Sequence, residues 1–424
     1  MKINTLKPIK ESNRFKRMTT ENTQQTQREY TTHIVIGLRW GDEGKGKLVD
    51  MLASRFSETE DITRRFCVRF NGGPNAGHTI YHSGVKVVTH QVPSGILYGM
   101  PSIIGDNCYV DIDKLKVEIL MLREHGVTLL PIANPTDGTQ KSATHTLYIS
   151  PNAHVIQDTH LAEDAGDTRI GTTKSGIGMC ARDKYARTGW RVRNCIRECQ
   201  ELEALGVQIR SPAKILMDYY ETHKHHAPCL VEGAQAYGLD ITYGMYPYVT
   251  SSHCLASDCL NMGINMHPAD NRGNRYSMRV WGVAKAYETY VGAMQFQDQT
   301  DTNLSRLQEL GHEFGSTTGR ARQCNYLDLD GLVKAAFVNQ CTDIVINKCD
   351  VLAAAGRFAT RAIREHRFAD AEVELGPVTE YPSVDEFKSV ITDATTKLPS
   401  VKRVYFEFSA SEPSAELTRM MKHF

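Results

Sequence analysis

A glycine- and lysine-rich segment follows the first apolar run of the chain and restricts its fold more than any other feature. Residues 33–37 read His-Ile-Val-Ile-Gly, and residues 41–47 read Gly-Asp-Glu-Gly-Lys-Gly-Lys. Gly41, Gly46 and Lys47 have the spacing of the phosphate-binding G-x-x-x-x-G-K loop, which joins a strand to a helix. Its glycines let backbone N–H groups converge on an anion, and the helix N-terminus adds a favourable dipole. The segment therefore predicts a strand–loop–helix unit with a phosphate site at the loop.

The loop departs from its usual pattern at one position. Where Ser or Thr normally supplies a hydroxyl to Mg²⁺, this chain has Leu48. A magnesium ion beside phosphates needs a hard oxygen ligand. Asp42, inside the loop, is the candidate for that ligand.

Apolar strand-like runs alternate with helix-like runs along the chain. The strand-like runs are 33–37, 66–70, 102–104, 229–231 and 343–347, and the helix-like runs are 47–56 and 112–125. This alternation predicts an α/β fold around a central, mostly parallel β-sheet. Because the sequence has no internal repeat and no long linker, we expect one large domain with flanking helical subdomains over residues 33–424.

The first 32 residues differ from the rest of the chain. They are polar, with scattered apolar side chains. Such a segment buries too little surface to offset the entropy of ordering it. We expect residues 1–32 to form a flexible N-terminal extension.

Composition excludes several classes of protein. The 424 residues carry 49 Lys+Arg against 49 Asp+Glu, which argues against a protein built to bind nucleic-acid phosphates. No run approaches the roughly 18 apolar residues of a membrane span. The 11 cysteines are an odd number, and no secretory signal is recognisable, which indicates reduced thiols. We expect a cytoplasmic protein that binds neither nucleic acid nor membrane.

Two further segments point to nucleotide chemistry. Residues 71–79 form a second glycine-rich loop after a strand, and His78 lies in it as a candidate acid or phosphate ligand. Residues 347–350 read Asn-Lys-Cys-Asp directly after a late strand. In this N-K-x-D pattern the carboxylate accepts hydrogen bonds from guanine N1–H and the 2-amino group, which adenine does not offer in that arrangement. Together the loops indicate GTP rather than ATP.

The motifs taken together resemble the adenylosuccinate synthetase family. The resemblance rests on six segments in family order, and it runs from about Ile34 into the C-terminal part of the chain. The segments are residues 40–47, 75–79, 171–173, 232–235, 246–252 and 315–320.

The resemblance implies a GTP-dependent ligase that joins L-aspartate to IMP in two steps. Asp42 matches the family's base, which removes the N1 proton of IMP so that O6 attacks the γ-phosphate of GTP. The aspartate amino group then displaces phosphate from 6-phosphoryl-IMP. His78 and Lys45 match residues that stabilise charge on the transferred phosphoryl group. One Mg²⁺ per subunit is implied at Asp42 and the carbonyl group of Gly77.

The resemblance also assigns binding positions and a partner. For IMP the positions are Asp42, Glu43, Gly44, Lys45, Asn75, Ala76, Gly77, His78, Thr173, Arg187, Gln235, Thr250 and Arg320. For GTP they are Gly41, Asp42, Glu43, Gly44, Lys45, Gly46, Lys47, Gly77, His78, Thr79, Arg322, Lys348, Cys349, Asp350, Ser409, Ala410 and Ser411. For aspartate they are Ser316, Thr317, Thr318, Gly319, Arg320, Ala321 and Arg322. Arg187 matches an arginine that reaches the partner's IMP, which implies a homodimer.

Some positions depart from the family pattern around the aspartate loop. Ala321 and Gln323 stand where the pattern has cations, and Asn325 begins the segment that usually reads G-W-L-D. A lost charge-assisted hydrogen bond costs about 1–3 kcal/mol. The sequence therefore predicts a raised aspartate requirement, or an altered amino-acid or purine substrate.

Two alternatives remain open at this point. A related synthetase of the kind found in phages acts on (d)GMP and gives 2-aminoadenylosuccinate, but such proteins tend to replace the loop aspartate that is Asp42 here. A non-catalytic GTP-binding paralogue would be expected to lose the base or the loop lysine. Asp42, Lys45 and His78 are all present, which favours the enzyme and IMP.

Overall fold

The computed structural model describes residues 29–82, 84–129, 145–315, 319–365, 373–409 and 413–422. Residues 1–28 of the predicted extension lie outside these ranges. None of the helices within the described ranges combines the length and the apolar character that crossing a membrane requires.

The strands follow the predicted alternation. In chain order they are β1 (Glu29–Gly37), β2 (Phe66–Arg69), β3 (His78–His82), β4 (Val85–Thr89), β5 (Ser102–Ile104), β6 (Tyr109–Val110), β7 (Leu147–Ile149), β8 (His154–Val155), β9 (Val207–Ile209), β10 (Cys229–Glu232), β11 (Arg275–Lys285), β12 (Tyr287–Tyr290), β13 (Gln323–Tyr326), β14 (Asp343–Asn347), β15 (Phe358–Glu365), β16 (Val373–Tyr381) and β17 (Arg403–Phe406).

The α-helices occupy most of the connections between these strands. In chain order they are α1 (Lys45–Thr59), α2 (Ile112–Glu124), α3 (Asp158–Gly166), α4 (Ile177–Ala186), α5 (Ile196–Ala204), α6 (Pro212–His223), α7 (Thr302–Leu310), α8 (Leu329–Val338), α9 (Cys349–Ala355), α10 (Val384–Thr396) and α11 (Ala415–Met421).

The central sheet has nine strands in the order β17-β14-β11-β1-β10-β2-β5-β7-β9. Each neighbouring pair in it is parallel. Antiparallel strand pairs lie outside it, namely β3–β4, β12–β13 and β15–β16. The predicted α/β fold around a mostly parallel sheet is confirmed.

The core explains why the strands read as apolar runs. Side chains of a strand alternate between the two faces of a sheet. Ile34 and Ile36 of β1 pack in one apolar cluster with residues of β14 and α8, whereas Val35 packs in another with residues of α1. Both faces of β1 are therefore covered by helices, as expected for a parallel sheet.

The start of β1 corrects the predicted boundary of the extension. The strand begins at Glu29 rather than at His33, and residues 29–32 pair with residues 275–278 of β11. Thr31 Oγ1 lies 2.8 Å from Ser277 Oγ in this part of the ladder. These residues are polar because this end of the strand pair is only partly buried, so an apolar pattern does not detect it.

Strand order brings the sequence motifs to one edge of the sheet. The phosphate loop follows β1, residues 233–235 follow β10, and the N-K-x-D segment overlaps the end of β14. Strand β1 lies next to β10 and is separated from β14 by β11 alone. Because the strands are parallel, these carboxyl ends meet at the edge where α/β proteins bind their ligands.

Candidate active site

The phosphate loop is folded around a carboxylate of its own. Gly41 and Gly44 have φ of +91°, a conformation that favours glycine, and α1 begins at Lys45. Glu43 is 2% exposed, and its carboxylate accepts hydrogen bonds from Arg39 N (3.2 Å), Gly41 N (2.8 Å) and Lys45 Nζ (2.7 Å). The loop thus gathers donors around a buried anionic group.

Asp42 lies at the exposed side of this loop. Its φ is +56°, and its side chain is 38% exposed. Arg322 Nε lies 2.9 Å from Asp42 Oδ2, so the candidate base is joined by an ion pair to the aspartate loop. The sequence analysis assigned both residues to GTP, Asp42 also to IMP and Arg322 also to aspartate, and the structure brings the two side chains together.

Arg322 also belongs to a buried network of charged and polar side chains that the sequence analysis did not predict. Its NH1 donates to Glu313 Oε2 (2.6 Å), and Glu313 also accepts from Lys285 Nζ (2.8 Å) and Tyr287 OH (2.5 Å). Burial opposes ionisation of Glu313, but Lys285, Tyr287 and Arg322 outweigh it and lower its pKa to about 2. Glu313 therefore stays ionised and fixes Arg322.

His78 is the first residue of β3, not a loop residue as the sequence suggested. Its Nδ1 contacts Glu232 Oε1, and Glu232 is the last residue of β10. Burial, together with nearby Arg69, lowers the pKa of His78 to about 4. The imidazole is therefore neutral near pH 7, with Nδ1 fixed by the carboxylate.

Glu232 is a candidate functional residue that the sequence analysis included only as part of the segment 232–235. It is fully buried and accepts hydrogen bonds from Ser94 N (2.8 Å) and Ser94 Oγ (2.7 Å). Arg69 NH2 lies 3.3 Å from Glu232 Oε1. Burial opposes ionisation, but Arg69 and His78 outweigh it and lower the pKa of Glu232 to about 2. The sequence signal that could have identified Glu232 is an acidic residue directly after the apolar run of residues 229–231.

The guanine motif is hydrogen-bonded to the phosphate loop. Asn347, the last residue of β14, donates from Nδ2 to the carbonyl of Glu43 (2.7 Å). A Cβ at Gly44 would lie 2.8 Å from that Nδ2 atom, so glycine is required there for packing as well as for its φ. Lys348 donates to Gly311 O (3.0 Å), and Asp350 lies in the first turn of α9.

The C-terminal segment also reaches the phosphate loop. Lys47 Nζ donates to Ser409 O (2.6 Å) and lies 3.5 Å from Glu407 Oε2. Of the three C-terminal residues assigned to GTP, Ser409, Ala410 and Ser411, the last two lie outside the described residues.

Two predicted purine ligands have polar atoms without partners. Asn75 Oδ1 and Gln235 Oε1 are buried and accept no hydrogen bond from the described residues. Gln235 follows β10 with φ of +55°, and its amide approaches Gly72 of the second loop. Buried oxygens of this kind are normally satisfied, so a ligand is a natural partner for them.

The segment around Thr173, one of the residues assigned to IMP, is held by hydrogen bonds from two parts of the chain. Arg320 NH1 donates to Gly171 O (2.9 Å) and Thr172 O (3.0 Å), just before the exposed Thr173. Asp164 of α3, which the sequence analysis missed, accepts from Thr172 Oγ1 (2.6 Å) and Gly176 N (2.8 Å). Arg187 lies elsewhere in the fold, exposed at the C-terminus of α4.

The aspartate loop is described only in part. Ser316, Thr317 and Thr318 lie outside the described residues, and Ala321 is exposed. Gln323 and Asn325, two of the departures from the family pattern, have structural partners. Gln323 Oε1 accepts from Phe296 N (2.8 Å), and Asn325 Nδ2 donates to Phe296 O (2.8 Å).

The donor set fits a hard cation. Asp42 offers a partly exposed carboxylate at the phosphate loop, and Gly77 offers a carbonyl oxygen one residue before His78. A Cβ at Gly46 would lie 3.1 Å from the Cβ of His78, so the start of β3, directly after Gly77, lies against the start of α1. Oxygen ligands next to a phosphate site are those that Mg²⁺ prefers.

Comparisons with known proteins agree with these motifs. A family model described as adenylosuccinate synthetase matches residues 34–227 and 211–361. A curated adenylosuccinate synthetase of Halothermothrix orenii is 34% identical over 386 residues, covering 81% of this chain and 82% of that protein. One from Acetivibrio thermocellus is 36% identical over 363 residues, covering 76% and 78%.

Two solved structures extend the comparison. A fully ligated adenylosuccinate synthetase of Plasmodium falciparum has a TM-score of 0.67 and 25% identity, covering 90% of this chain and 98% of that one. The cyanophage S-2L succinoaminodeoxyadenylate synthetase, bound to dGMP and to dATP as energy donor, has a TM-score of 0.62 and 18% identity, covering 93% and 99%. The second likeness shows the fold alone.

Proposed function

The chain belongs to the adenylosuccinate synthetase family of GTP-dependent ligases, and we propose that IMP is its purine substrate. The reaction joins the amino group of L-aspartate to C6 of IMP and yields adenylosuccinate, GDP and phosphate. The observation that carries the choice of IMP is Asp42, a carboxylate placed on the loop next to the candidate phosphate site, where a base for the N1 proton is needed.

In the first step, Asp42 takes the N1 proton of IMP and O6 attacks the γ-phosphorus of GTP. The bond from that phosphorus to the bridging oxygen breaks, and GDP leaves. Lys45 and the first amides of α1 neutralise the charge that develops on the phosphoryl oxygens. His78 acts as a neutral imidazole, since Glu232 holds Nδ1 and leaves Nε2 for the transferred group.

In the second step, the aspartate nitrogen attacks C6, the C6–O6 bond breaks and phosphate leaves. Arg320 and Arg322 are the candidate partners for the substrate carboxylates, because guanidinium groups bind carboxylates with two parallel hydrogen bonds. Asn75 and Gln235 are candidate partners for the IMP, since each has a buried oxygen that lacks a partner among the described residues.

Nucleotide and metal complete the proposed site. Lys348 and Asp350 would hold guanine, at the strand end that Asn347 joins to the phosphate loop. Asp42 and the Gly77 carbonyl would hold Mg²⁺, which when bound supplies Lewis-acid stabilisation of phosphate charge. We place this chemistry in the cytoplasm.

The purine preference can be tested directly. Purified protein is incubated with GTP, Mg²⁺ and aspartate and with IMP, GMP or dGMP, while phosphate release and the product absorbance are followed. We expect turnover with IMP. Turnover with dGMP or GMP alone would favour the 2-aminoadenylosuccinate reaction instead, and no turnover with any purine would leave a non-catalytic GTP-binding protein.

We also propose that the active form is a homodimer in which Arg187 completes the partner's site. Its position at the exposed C-terminus of α4 leaves the side chain available to a second copy. Mixing inactive Asp42→Asn and Arg187→Leu proteins should restore activity, since a heterodimer has one site with both residues intact. Statistical mixing gives about a quarter of the wild-type activity. Failure to complement would contradict the shared site.

A further inference from the structure

Two carboxylates and an imidazole converge in the long connection that follows β10. Asp240 comes directly after a 3₁₀ turn (Tyr237–Leu239), and His253 precedes a second 3₁₀ turn (Ala256–Met262), which contains Asp258. One ligand atom of each side chain lies within 4.8 Å of those of the other two. Among the residues that the structure describes, no other group of three or more His, Cys, Asp or Glu side chains converges so closely.

Asp240 is the fixed and fully buried member of this cluster. Its Oδ1 accepts hydrogen bonds from Thr242 N (2.8 Å) and Tyr243 N (3.1 Å), and its Oδ2 accepts one from Cys254 N (2.6 Å). These backbone amides orient the carboxylate but carry no net charge to balance it. Because a carboxylate oxygen has two lone pairs, Oδ2 keeps one for a further ligand.

The negative charge of the cluster lacks a lysine or arginine partner. Within the described ranges, no side chain of either type forms an ion pair with Asp240 or Asp258, and the nearest basic group is the imidazole of His253. Two carboxylates this close repel each other, and burial of one of them strengthens the repulsion. A cation bound between the two carboxylates would convert that repulsion into attraction.

The distance between the imidazole and the buried carboxylate fits two ligands of one ion. His253 Nδ1 lies 3.7 Å from Asp240 Oδ2, which is too long for a hydrogen bond. Two ligand atoms about 2.1 Å from a tetrahedral Zn²⁺ lie roughly 3.4 Å apart, so an ion fits after a small movement of the side chains. The side chain of His253 is 43% exposed, which gives an ion access from solvent.

A buried hydroxyl group next to His253 is a separate observation. Ser252 is 7% exposed, and its Oγ has no hydrogen-bond partner in the described part of the chain. Its carbonyl oxygen accepts from Ile241 N (3.2 Å), so Ser252 adjoins the residue after Asp240 as well as His253. Buried hydroxyl groups are normally satisfied, and a water molecule on a bound ion would be a suitable partner.

We propose that Asp240, His253 and Asp258 bind one Zn²⁺, at a site separate from the Mg²⁺ site beside the phosphate loop. An imidazole together with two carboxylates favours Zn²⁺, whereas Mg²⁺ and Ca²⁺ prefer oxygen ligands alone. Three protein ligands leave the fourth position to water. The chain between the ligands contains Thr250, one of the positions assigned to IMP, so the ion would join the two ends of that segment.

Co²⁺ is a suitable probe, because it replaces Zn²⁺ and its visible spectrum reports the ligands. The full-length protein is freed of metal with EDTA, kept in excess Mg²⁺ to fill the phosphate-loop site, and titrated with Co²⁺ and then with Zn²⁺. We expect one Co²⁺ per chain, with visible d–d bands and no thiolate charge-transfer band, and its displacement by one Zn²⁺. The charge-transfer band matters because the chain has 11 cysteines that could compete for the metal.

Two variants test the ligands. His253→Asn and Asp258→Asn each remove one ligand and should weaken Zn²⁺ binding at least ten-fold, since even an outer partner of a metal ligand is worth about 10–100-fold. Neither side chain is fully buried, so both variants should fold, whereas Asp240 is left intact because its hydrogen bonds hold the backbone. His267→Asn is the matched control, since His267 is an exposed histidine outside the cluster, and it should bind Zn²⁺ as the wild type does.

Four results would overturn the proposal. They are no Co²⁺ bands in excess Mg²⁺, a thiolate charge-transfer band, equal Zn²⁺ affinity in the wild type and His253→Asn, and loss of the bands in Asp42→Asn. The second would place the metal on cysteines, and the last would place it at the phosphate loop. None of these measurements depends on turnover, so failure here is distinguishable from failure of the proposed reaction.

Discussion

The two sides of the candidate active site are constructed differently. Around His78 the groups are buried and charged, with Glu232 joined to His78, Ser94 and Arg69. Around the aspartate loop the chain is more exposed, and Arg320 donates to two backbone carbonyl oxygens. The first side is fixed before substrate arrives, whereas on the second side Arg320 contacts backbone carbonyl oxygens that a substrate anion can replace, although Arg322 is paired with Asp42 and Glu313. Substitutions on the first side should therefore cost stability and turnover, and those on the second should change substrate affinity.

The largest expected effect is that of Glu232→Gln. Removing one partner of a buried ion pair leaves the other charge uncompensated, which lowers the free energy of unfolding by about 3–5 kcal/mol. Arg69 would be left in this way, and His78 would lose the acceptor that orients it. We expect the free energy of unfolding to fall by that amount and turnover to fall roughly 10²-fold. Urea unfolding and initial rates measure the two effects.

Glu380→Gln is the control for that variant. Glu380 is exposed and pairs with Arg357 NH2 (2.7 Å) on the surface. Exposed ion pairs contribute about 0–1 kcal/mol. If both variants lost equally little stability, the buried side would not be the rigid side of the site.

The second prediction concerns acid and the same buried side. The pKa of His78 is lowered to about 4 in the folded protein, below its ordinary value of 6.5. Below pH 6.5 the unfolded chain therefore binds a proton at this histidine that the folded chain does not bind. The contribution of His78 to stability is fully present above this pH and is lost as the pH drops towards 4. Between pH 7 and 5 the resulting loss in the free energy of unfolding is about 2 kcal/mol.

The variant His78→Gln isolates that contribution. The variant lacks the titrating group, so between pH 7 and 5 its free energy of unfolding should fall by about 2 kcal/mol less than that of the wild type. Urea unfolding at both pH values measures the difference. Glu232 does not interfere, because its pKa near 2 and its unfolded value near 4.5 lie below this range. Parallel losses in the two proteins would show that His78 is not held neutral.

The same contrast explains what the sequence could and could not predict. The phosphate loop and the N-K-x-D segment are contiguous in sequence, and each follows a strand whose apolar run is easily recognised. The ion pairs of the buried side join residues far apart in sequence, such as His78 and Glu232, 154 positions apart. Strand order decides those pairings, and no local pattern encodes it.

The missed residues share a second property. Glu313, Lys285 and Asp164 are charged residues whose burial depends on what the fold places beside them. From composition alone a charged residue is expected at the surface. Likewise, β1 extends to Glu29 because its polar first residues pair with an equally polar stretch of β11, which hydrophobic periodicity cannot register.

The third prediction, Gln235→Met, concerns the candidate purine position three residues after Glu232. Its Oε1 atom is buried without a partner in the described part of the chain, so losing the amide should not lower the free energy of unfolding. If the amide binds the purine, the kcat/KM for IMP should fall about ten- to hundred-fold, the cost of about 1–3 kcal/mol for one hydrogen bond. Steady-state kinetics and urea unfolding give both quantities.

Gln91→Met provides the matched contrast for that variant. The amide of Gln91 is fully engaged, since Nε2 donates to Asp111 O (2.9 Å) and Oε1 accepts from Asp111 N (2.9 Å). Its loss should cost about 1–3 kcal/mol of stability and leave the KM for IMP unchanged. If instead Gln235→Met were the more destabilised of the two, its oxygen would have a structural partner.

The smallest expected effect is on the exposed side, where Ala321→Arg restores a cation to the aspartate loop. Ala321 is exposed, so the longer side chain should change stability by no more than about 0.5 kcal/mol. One charge-assisted hydrogen bond to a substrate carboxylate is worth about 1–3 kcal/mol. We therefore expect the KM for aspartate to fall about ten-fold while the KM for GTP stays the same. Ala321→Gln, similar in length but neutral, separates charge from bulk. Equal aspartate KM values in all three proteins would show that this loop reaches its carboxylate through Arg320 and Arg322 alone, and that the missing cation does not limit affinity.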